Sequence, residues 1–380
     1  MILFLQNIPT PYRMSFFDKL DHCCRERATD FRVLYCGRRE HNRHWKFDLA
    51  DAAHPHEVLK GLHPVYRRAT FHINPTVMLR IRQLKPRLLL CGGSWNLPTN
   101  WLVKMAAPRN TSIGFWSEGH ADSATFHRGM VASLRKSVLN SFSWYVVPNA
   151  RSADWIRSHG GGDRPFIYMP NTVNEEFYKS NGVDEQQHAR QKLGIDVDER
   201  VIVQLSQLEP RKGVLELIDA YQRLPSDLRT GTVLAVLGTG TLANSVVQAV
   251  GRFSGPGKII APGHVQADEV RTWLQAADWF CLNTFSDPNP LSPIEASFAS
   301  TPLLLSKRAG NFDELMVDGR AGIAIEDPRD PEAALAQAIK MPRPEVQSMG
   351  CVARSNADAV FSRAHAAINF LNQLSSYGLL

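Results

Sequence analysis

The 380-residue sequence has no apolar run long enough to cross a bilayer, which takes about 20 residues. The first five residues are apolar, but no basic residue precedes them, and Asn7 and Pro9 interrupt the apolar run before it has the length of a secretory signal peptide. We therefore expect a cytoplasmic protein. The six cysteines form no C-x-x-C pair and no zinc-finger spacing, which is typical of reduced thiols. These absences argue against an integral membrane protein, a disulfide-rich secreted domain and a zinc finger.

A metal-binding cluster is also missing from the pattern. Four histidines, His41, His44, His54 and His56, lie close together in a segment rich in arginine and tryptophan. No carboxylate or cysteine joins them at ligand spacing, so the segment is interpreted as a surface loop and no metal is expected.

Charge is unevenly divided along the chain. Residues 1–170 carry 24 Lys and Arg against 12 Asp and Glu, a net charge of +12, whereas residues 171–380 carry a net charge of −6. Such an imbalance favours an anionic partner for the first half, such as phosphates or a membrane surface. Solvated surface charge is the alternative. Nucleic acid is not expected, because no aromatic platform with the spacing of a known module is interleaved with the basic residues.

Short apolar runs alternate with helix-length amphipathic segments throughout the sequence, which predicts parallel sheets covered by helices. The strand candidates are too many for one sheet, so we expect an α/β protein of two Rossmann-like, doubly wound domains. Their predicted bounds are 1–170 and 171–354, with a polar linker at 179–200 and a C-terminal helix at about 355–380 that packs back on the first domain. Ligands of such sheets bind beyond the carboxyl ends of the strands, and two facing domains would form a cleft there.

The segment NTFSDPNPLSPIE (residues 283–295) combines a strand end, a proline-rich loop and a helix start. Ser292 is the predicted N-cap, with Pro293 in the first helical position, and Glu295 then completes a capping box. Alternatively, the helix start binds a phosphate, while Asp287 and Glu295 accept hydrogen bonds from sugar hydroxyls.

Two further strand-to-helix loops carry residue types that bind nucleotides. In SQLEPRKG (206–213), Arg211 and Lys212 can clamp a diphosphate, although basic loop residues are commonly only solvated. LGTGTLA (237–243) matches G-x-G-x-x-A, a weak signal for a dinucleotide. No acid follows the next strand, KIIA, to hold a ribose, so a nicotinamide-dependent enzyme is disfavoured.

Seven segments in order, SQLEPRKGVLELIDAY, VLGTGTL, APGHV, LQAADWFCLNTFSD, NPLSPIEASFASTPLLLS, AGNFDEL and GIAI, resemble a retaining glycosyltransferase of family 4 with GT-B architecture. The resemblance covers residues 165–335. The segments IPTPYRMSFFDKL, NRHW and WSEGHAD resemble the amino-terminal half of one branch of that family more loosely.

The resemblance implies roles for individual residues. The paired-acid motif falls on Asp287, which would contact the donor sugar, and on Glu295, which would hold the ribose. The basic pair at the donor diphosphate falls on Gln207 and Lys212, and Arg211 supplies charge where Gln207 replaces the usual arginine. The remaining predicted donor contacts are backbone amides near Asn289, Pro290 and Leu291, and the base-lining residues Gly263 and Val265.

In the first half, Tyr12, Arg13 and Trp95 are the predicted acceptor-binding residues, on loops that follow strands. Glu118 and His120 come after the strand TSIGFW, where family relatives place a functional side chain near the acceptor hydroxyl. The sequence leaves the choice between these two open, and a purely structural role for either is an alternative.

The predicted function is transfer of a sugar, with retention of configuration, from a nucleotide sugar to a hydroxyl of a glycan or lipid-linked acceptor in bacterial surface polysaccharide synthesis. No cofactor is expected. The basic helix predicted at 127–141 either packs in the core or contacts an anionic membrane. The alternatives are a GT-B epimerase, a phosphorylase whose pyridoxal phosphate would need Lys212, Lys258 or Lys307, and a non-catalytic binding protein.

Overall fold

The structure is a computed structural model that describes residues 1–40, 48–66, 69–120, 128–179 and 182–380. His41, His44 and the segment NRHW lie outside the described residues, as do the first residue of the predicted helix 127–141 and the last two of WSEGHAD. The chain divides into two compact units. Unit 1 comprises residues 1–173 and 363–380, and unit 2 comprises residues 174–362.

Unit 1 is built on a parallel sheet that runs in the order β3-β2-β1-β6-β7-β8-β9, with a separate antiparallel pair β4-β5. Its strands are β1 (Ile2–Gln6), β2 (Phe31–Tyr35), β3 (His56–Val58), β4 (Val65–Tyr66), β5 (Ala69–Thr70), β6 (Leu88–Cys91), β7 (Ser112–Trp116), β8 (Trp144–Val147) and β9 (Phe166–Tyr168).

Helices cover both faces of this sheet, because alternate residues of its apolar strands point to opposite sides. Ile2 and Phe4 belong to one buried cluster, and Leu3 and Leu5 belong to another. The helices are α1 (Pro11–Glu26), α2 (Thr76–Leu84), α3 (Pro98–Ala106), α4 (Met130–Asn140), α5 (Ala150–Ile156) and, from the end of the chain, α16 (Arg363–Ser376).

Unit 2 has a parallel sheet in the order β12-β11-β10-β13-β14-β15. Its strands are β10 (Arg200–Leu205), β11 (Thr232–Leu237), β12 (Lys258–Gly263), β13 (Trp279–Leu282), β14 (Leu303–Ser306) and β15 (Gly322–Ile325). Its helices are α6 (Glu175–Tyr178), α7 (Val183–Leu193), α8 (Val214–Arg223), α9 (Ser226–Arg229), α10 (Ala243–Arg252), α11 (Ala267–Ala276), α12 (Ser292–Phe298), α13 (Phe312–Leu315), α14 (Glu332–Lys340) and α15 (Arg343–Phe361). The predicted pair of doubly wound α/β units is confirmed.

Three local expectations differ from the structure. The expected polar linker at 179–200 contains helix α7, which buries Arg190 although its sequence has no apolar stripe. The final helical segment breaks at Ser362, whose backbone is extended, so the part that returns to unit 1 starts at Arg363 rather than near 355. His54 does not lie in a surface loop, because its ring is buried between Asp18 Oδ1 at 2.6 Å and Tyr35 Oη at 3.0 Å.

Candidate functional site

The strand order of unit 2 reverses between β10 and β13, which lie side by side at the centre of its sheet. In open parallel sheets this reversal opens a crevice at the carboxyl ends of the two strands. The loops that follow, 206–213 after β10 and 283–291 after β13, carry most of the predicted donor-binding residues. Asn283 joins them, because its side-chain amide donates to Gly213 O at 2.9 Å.

A compact charge cluster connects these loops. The Lys212 ammonium contacts the Asp287 carboxylate, and both side chains are largely buried. Arg211 donates to Ser286 O at 2.9 Å and lies 3.9 Å from Asp287 Oδ2, with its side chain 44% exposed. Burial lowers the pKa of Lys212, although Asp287 opposes that shift. Two cations on one carboxylate leave a net positive charge, which suits an anionic ligand.

The loop between Asp287 and α12 is held in place by backbone and amide contacts. Gly310 N donates to Asp287 O at 2.8 Å, and Asn311 Nδ2 donates to Pro290 O at 2.9 Å. Helix α12 begins at Ser292 after Leu291, and no side chain caps it. The prediction of Ser292 as N-cap is therefore wrong: its neighbour Leu291 already has helical backbone angles, which leaves Ser292 inside the first turn.

Glu295 has a specific partner that is not part of a capping box. Tyr178 Oη, from the short helix α6, donates to Glu295 Oε1 at 3.0 Å. Burial raises the pKa of Glu295 to about 7, while the bond from Tyr178 opposes that shift. The capping-box interpretation fails because Glu295 is one position too far into the helix. Sequence reasoning missed Tyr178, whose only signal is an aromatic pair in a polar segment.

The glycines of LGTGTLA serve loop packing. A Cβ on Gly238, whose φ is +131°, would lie 1.9 Å from Ser206 O, and one on Gly240 would lie 2.5 Å from Leu208 O. Glu209 further fixes this loop by accepting from Thr241 Oγ1 at 2.7 Å. These contacts account for the motif without a dinucleotide. Gln207 is exposed on the adjoining loop, and no described contact joins it to the Lys212 cluster.

Gly263 and Val265 form the turn between β12 and α11. Gly263 has a φ of +83° and accepts from Gly238 N at 2.8 Å, and Val265 is buried. A capping box between Gln266 and Glu269 fixes the start of α11 directly afterwards. The predicted base-lining segment is thus held from both sides at the carboxyl end of an edge strand.

Unit 1 also reverses its strand order, between β1 and β6, and a cavity of about 630 Å³ lies at this point. That volume is typical of small-molecule sites. The described lining residues are Gln6, Asn7, Ile8, Thr10, Tyr12, Arg13, Glu40, Gly93, Ser94, Trp95, Asn96, Phe115, Trp116, Ser117, Glu118, Gly119, Val131, Arg135 and Trp155.

Arg13 is the best-held side chain of this cavity. Its guanidinium lies 2.5 Å from Glu118 Oε1, donates to Gln6 Oε1 and stacks over the Trp116 ring with Cζ 4.2 Å from the ring centroid. Burial alone would lower the pKa of Arg13, but the contacts with Tyr12 and Glu118 raise it. The guanidinium is therefore a permanent cation that is already paired with a carboxylate.

The structure separates the two candidates left open by the sequence. Glu118 lines the cavity with its side chain 33% exposed, whereas His120 is buried and is absent from the described lining. All three predicted acceptor-binding residues, Tyr12, Arg13 and Trp95, lie on the lining.

Comparison with known proteins identifies the segment that carries the unit 2 cluster. Residues 185–347 match the family model of glycosyl transferases group 1. This segment, the group 1 domain, is similar to group 1 glycosyltransferases. The group 1 domain contains Arg211, Lys212, Asp287 and Glu295, and Tyr178 lies just before it.

Curated relatives align with part of the chain only. The alpha-galactosylglucosyldiacylglycerol synthase of Streptococcus pneumoniae is 23% identical over 193 residues, 50% of either chain. The alpha-monoglucosyldiacylglycerol synthase of Acholeplasma laidlawii is 27% identical over 181 residues, 47% of this chain and 44% of that protein. The chain thus spans about half the length of the curated relatives it matches.

Among solved structures, Anabaena HepE in complex with UDP and glucose superposes with a TM-score of 0.74 at 16% identity, covering 99% of both chains. This likeness extends beyond the group 1 domain to unit 1. It shows that the chain has the GT-B fold.

Proposed function

We propose that the protein is a retaining glycosyltransferase. Unit 2 binds a nucleotide sugar, and unit 1 binds the glycan or lipid-linked acceptor whose hydroxyl receives the sugar. The observation that carries the proposal is the contact of Lys212 and Arg211 with Asp287 at the strand reversal of the group 1 domain. The matched family and the GT-B fold support it.

In this proposal, Lys212 and Arg211 stabilise the negative charge that develops on the departing nucleoside diphosphate. The bond between the anomeric carbon and the phosphate oxygen breaks, and a bond from the same carbon to the acceptor oxygen forms on the same face. The acceptor hydroxyl gives its proton to the leaving phosphate. Asp287 contacts the donor sugar, and the side chain of Glu295 accepts hydrogen bonds from the ribose hydroxyls.

The remaining donor contacts follow the same scheme. The loop at Asn289, Pro290 and Leu291 faces the diphosphate, and Gly263 and Val265 line the base. Pro290 has no N–H to donate. Gln207 is exposed and shares no described contact with the charge cluster, so Arg211 is assigned the second cationic position.

The unit 1 cavity holds the acceptor in this scheme. Glu118 is assigned as the side chain near the acceptor hydroxyl, because it lines the cavity and His120 does not in the described structure. The two curated relatives are synthases of glycosylated diacylglycerols, which supports a glycolipid or surface polysaccharide acceptor.

The test is a panel of UDP-, GDP-, ADP- and dTDP-linked sugars, followed by thermal shift and by nucleotide release. A ligand at ~100 times its dissociation constant adds about 2.7 kcal/mol to the free energy of unfolding, or roughly 5–10 °C for a unit of this size. Lys212→Ala and Glu295→Ala should abolish the shift. Lys258→Ala is the matched control, because Lys258 pairs with Glu199 at the opposite end of the sheet. A wild-type protein that no nucleotide stabilises contradicts the proposal.

Product analysis separates the proposal from its alternatives. A transferase leaves the sugar on an added acceptor hydroxyl with the donor's anomeric configuration, and it needs no added metal. An epimerase releases nucleotide without an acceptor, and a phosphorylase makes a sugar phosphate. A binding protein shows the thermal shift but no turnover.

We further propose that α4 contacts an anionic membrane surface. Met130 is 87% exposed, and Val131 and Leu134 are 41% and 44% exposed, beside the exposed Arg128 and Lys136. Basic residues gain about 1 kcal/mol each near such a surface. In the described part of the chain, no helix has the length and apolarity that a membrane span requires. We expect stronger binding to vesicles with anionic lipid than to neutral ones, and equal binding contradicts this proposal.

A further inference from the structure

The unit 1 cavity is rich in charged groups, but its charges cancel. Arg13, Glu40, Glu118 and Arg135 are the charged side chains of the described lining. Arg13 is 2.5 Å from Glu118, and Glu40 is 3.1 Å from the buried ring of His72. Arg135 is 2% exposed, with Cζ 5.6 Å from the Trp155 ring centroid. An anionic ligand would enter a site where two carboxylates already occupy the wall.

The cavity also contains uncharged polar atoms that have no partner in the described structure. They include the indole Nε1 donors of Trp116 and Trp155 and the three atoms Gln6 Nε2, Asn7 Oδ1 and Thr10 Oγ1. Gln6 is 2% exposed and Thr10 is 6% exposed, so bulk water has little access to their side chains. Buried polar groups are nearly always hydrogen-bonded, which indicates that a ligand completes these three.

The hydrogen-bonding roles of these atoms limit the class of ligand that can satisfy them. Gln6 Nε2 only donates, Asn7 Oδ1 only accepts, and the Thr10 hydroxyl does both. An ionised phosphate or carboxylate group only accepts, so that group itself cannot pair with Asn7 Oδ1. Sugar hydroxyls donate and accept, so one ring can satisfy all three.

The sequence makes room for this arrangement through Gly92 and Gly93. A Cβ on Gly93 would lie 2.2 Å from Asn7 Oδ1, and one on Gly92 would lie 2.5 Å from Gln6 Nε2. The two amides can therefore lie across this loop only because it has no side chains. The cavity is also lined by the aromatic rings of Trp95, Trp116 and Trp155, against which the apolar C–H faces of a sugar ring can pack.

We propose that this cavity recognises an uncharged hexopyranose, the sugar unit of the acceptor that carries the reacting hydroxyl, and that a phosphate or carboxylate on that ring adds no affinity. As a statement about the acceptor this rests on the proposed function. As a statement about binding it concerns unit 1 alone. Gln6, Asn7 and Thr10 are the specificity-determining residues, and the Arg13–Glu118 pair keeps the cavity electrically neutral.

The test measures direct binding of methyl glucoside, methyl galactoside and methyl N-acetylglucosaminide to the full chain by calorimetry and ligand-observed NMR, with and without UDP. Each is compared with its 6-phosphate and, where one exists, its uronic acid. We expect at least one neutral glycoside to bind, and each anionic counterpart to bind no more tightly than its neutral parent.

Variants assign the binding to the cavity. Thr10→Val removes the hydroxyl at nearly constant shape, and Gln6→Glu replaces the donor by an acceptor while keeping an oxygen for Arg13. Each should weaken the neutral glycoside about tenfold, the effect of one lost hydrogen bond to a buried group. Thr230→Val, at an exposed turn of unit 2, is the control and should bind as the wild type does.

Three results would overturn the assignment: no neutral glycoside binds with or without UDP, an anionic counterpart binds ten times more tightly, or both variants bind as well as the wild type. Nucleotide thermal shift is recorded in parallel. If nucleotides raise the melting temperature while no glycoside binds, the cavity assignment is wrong and the proposed function stands. If glycosides bind while no nucleotide does, the assignment of the cavity as a sugar site stands and the proposed function is wrong.

Discussion

At the scale of single residues, the ionisation of Glu295 makes the stability of unit 2 depend on pH. Its pKa in the folded chain is about 7, above the ordinary value of 4.5, because burial disfavours the carboxylate. A raised pKa gives stability that is complete below about pH 4.5 and is lost as the pH rises through 7. Glu295→Gln, which mimics the protonated form, should therefore match the wild type at pH 4 and exceed its free energy of unfolding at pH 8 by about 1–3 kcal/mol.

Urea denaturation at the two pH values measures this difference. Under the proposed function, nucleotide affinity should change with pH in the opposite direction, because the ionised carboxylate is the better acceptor for ribose hydroxyls. The wild type should bind more tightly at pH 8 than at pH 6, and Glu295→Gln should lose that dependence. A pH-independent difference in stability between the two proteins would contradict the raised pKa.

Arg190 gives a second prediction at this scale. Its side chain is 2% exposed, and it donates to Asp278 Oδ2 at 2.8 Å and to the carbonyls of Ala276, Val197 and Glu199. Arg190→Ala removes these bonds and the closer cation of buried Asp278, whose other described cation is Arg343 at 3.6 Å from Oδ1, so we expect a loss of about 3 kcal/mol in denaturant unfolding.

Arg223→Ala is the matched control for that substitution. Arg223 has three carboxylate partners, Asp219, Asp330 and Glu332, but they are solvent-exposed. Exposed pairs contribute about 0–1 kcal/mol each and are screened by salt. Equal losses for the two variants would show that burial does not decide the contribution of these arginines.

The residues of the unit 2 cluster were predictable because they follow directly on apolar strands. Arg211, Lys212 and Asp287 stand in loops whose position is fixed by strand order alone. Tyr178 was not predictable: it lies 117 positions from Glu295, on a four-residue helix too short to show a period. The buried ring of His54 was missed for a similar reason, since its partners Asp18 and Tyr35 come from separate elements.

At the scale of elements, the sequence predicts those that bury a periodic face and misses those that do not. Strand β11 is buried along its whole length and reads as a continuous apolar run. Helix α7 is mostly polar, with Ala189 buried, and is held by Arg190 and backbone contacts rather than by an apolar stripe. Strand β9 was missed because three residues give too little alternation to recognise.

The exposed edge of β9 is closed by one side chain of α16. Tyr168 N donates to Gln373 Oε1 at 2.8 Å, and Gln373 Nε2 donates to Tyr168 O at 2.9 Å, so the amide replaces a neighbouring strand. Gln373→Ala removes both bonds and should reduce protection of the Tyr168 amide in hydrogen exchange, with about 1 kcal/mol of lost stability. Asn372→Ala, one position earlier and bonded to Arg27, is the control. Unchanged protection in Gln373→Ala would show that α16 packing alone closes the edge.

At the scale of the whole molecule, unit 1 is assembled from both ends of the chain. Helix α16 contributes Ala366, Ala367, Phe370, Leu371 and Leu374 to the cluster that contains Phe4 and Phe17. The Phe370 and Phe4 ring centroids are 5.8 Å apart in an edge-to-face arrangement. Burial of large apolar side chains contributes about 1.5–3 kcal/mol each, so this helix supplies a large part of the stability of unit 1.

Deletion of residues 363–380 should therefore affect the two units unequally. Unit 1 loses part of the layer that covers one face of its sheet, because α1 packs in the same cluster, whereas unit 2 ends at Ser362 and keeps all of its own elements. Calorimetry of the shortened chain should show the unit 1 transition strongly lowered or absent and the unit 2 transition close to its wild-type temperature. Under the proposed function, nucleotide should still stabilise the remaining transition. Phe370→Ala is a milder version with an expected loss of about 3–5 kcal/mol, again confined to unit 1. If both transitions fell together, the units would not be independent in folding, and the division of the chain at residues 173 and 363 would describe packing only.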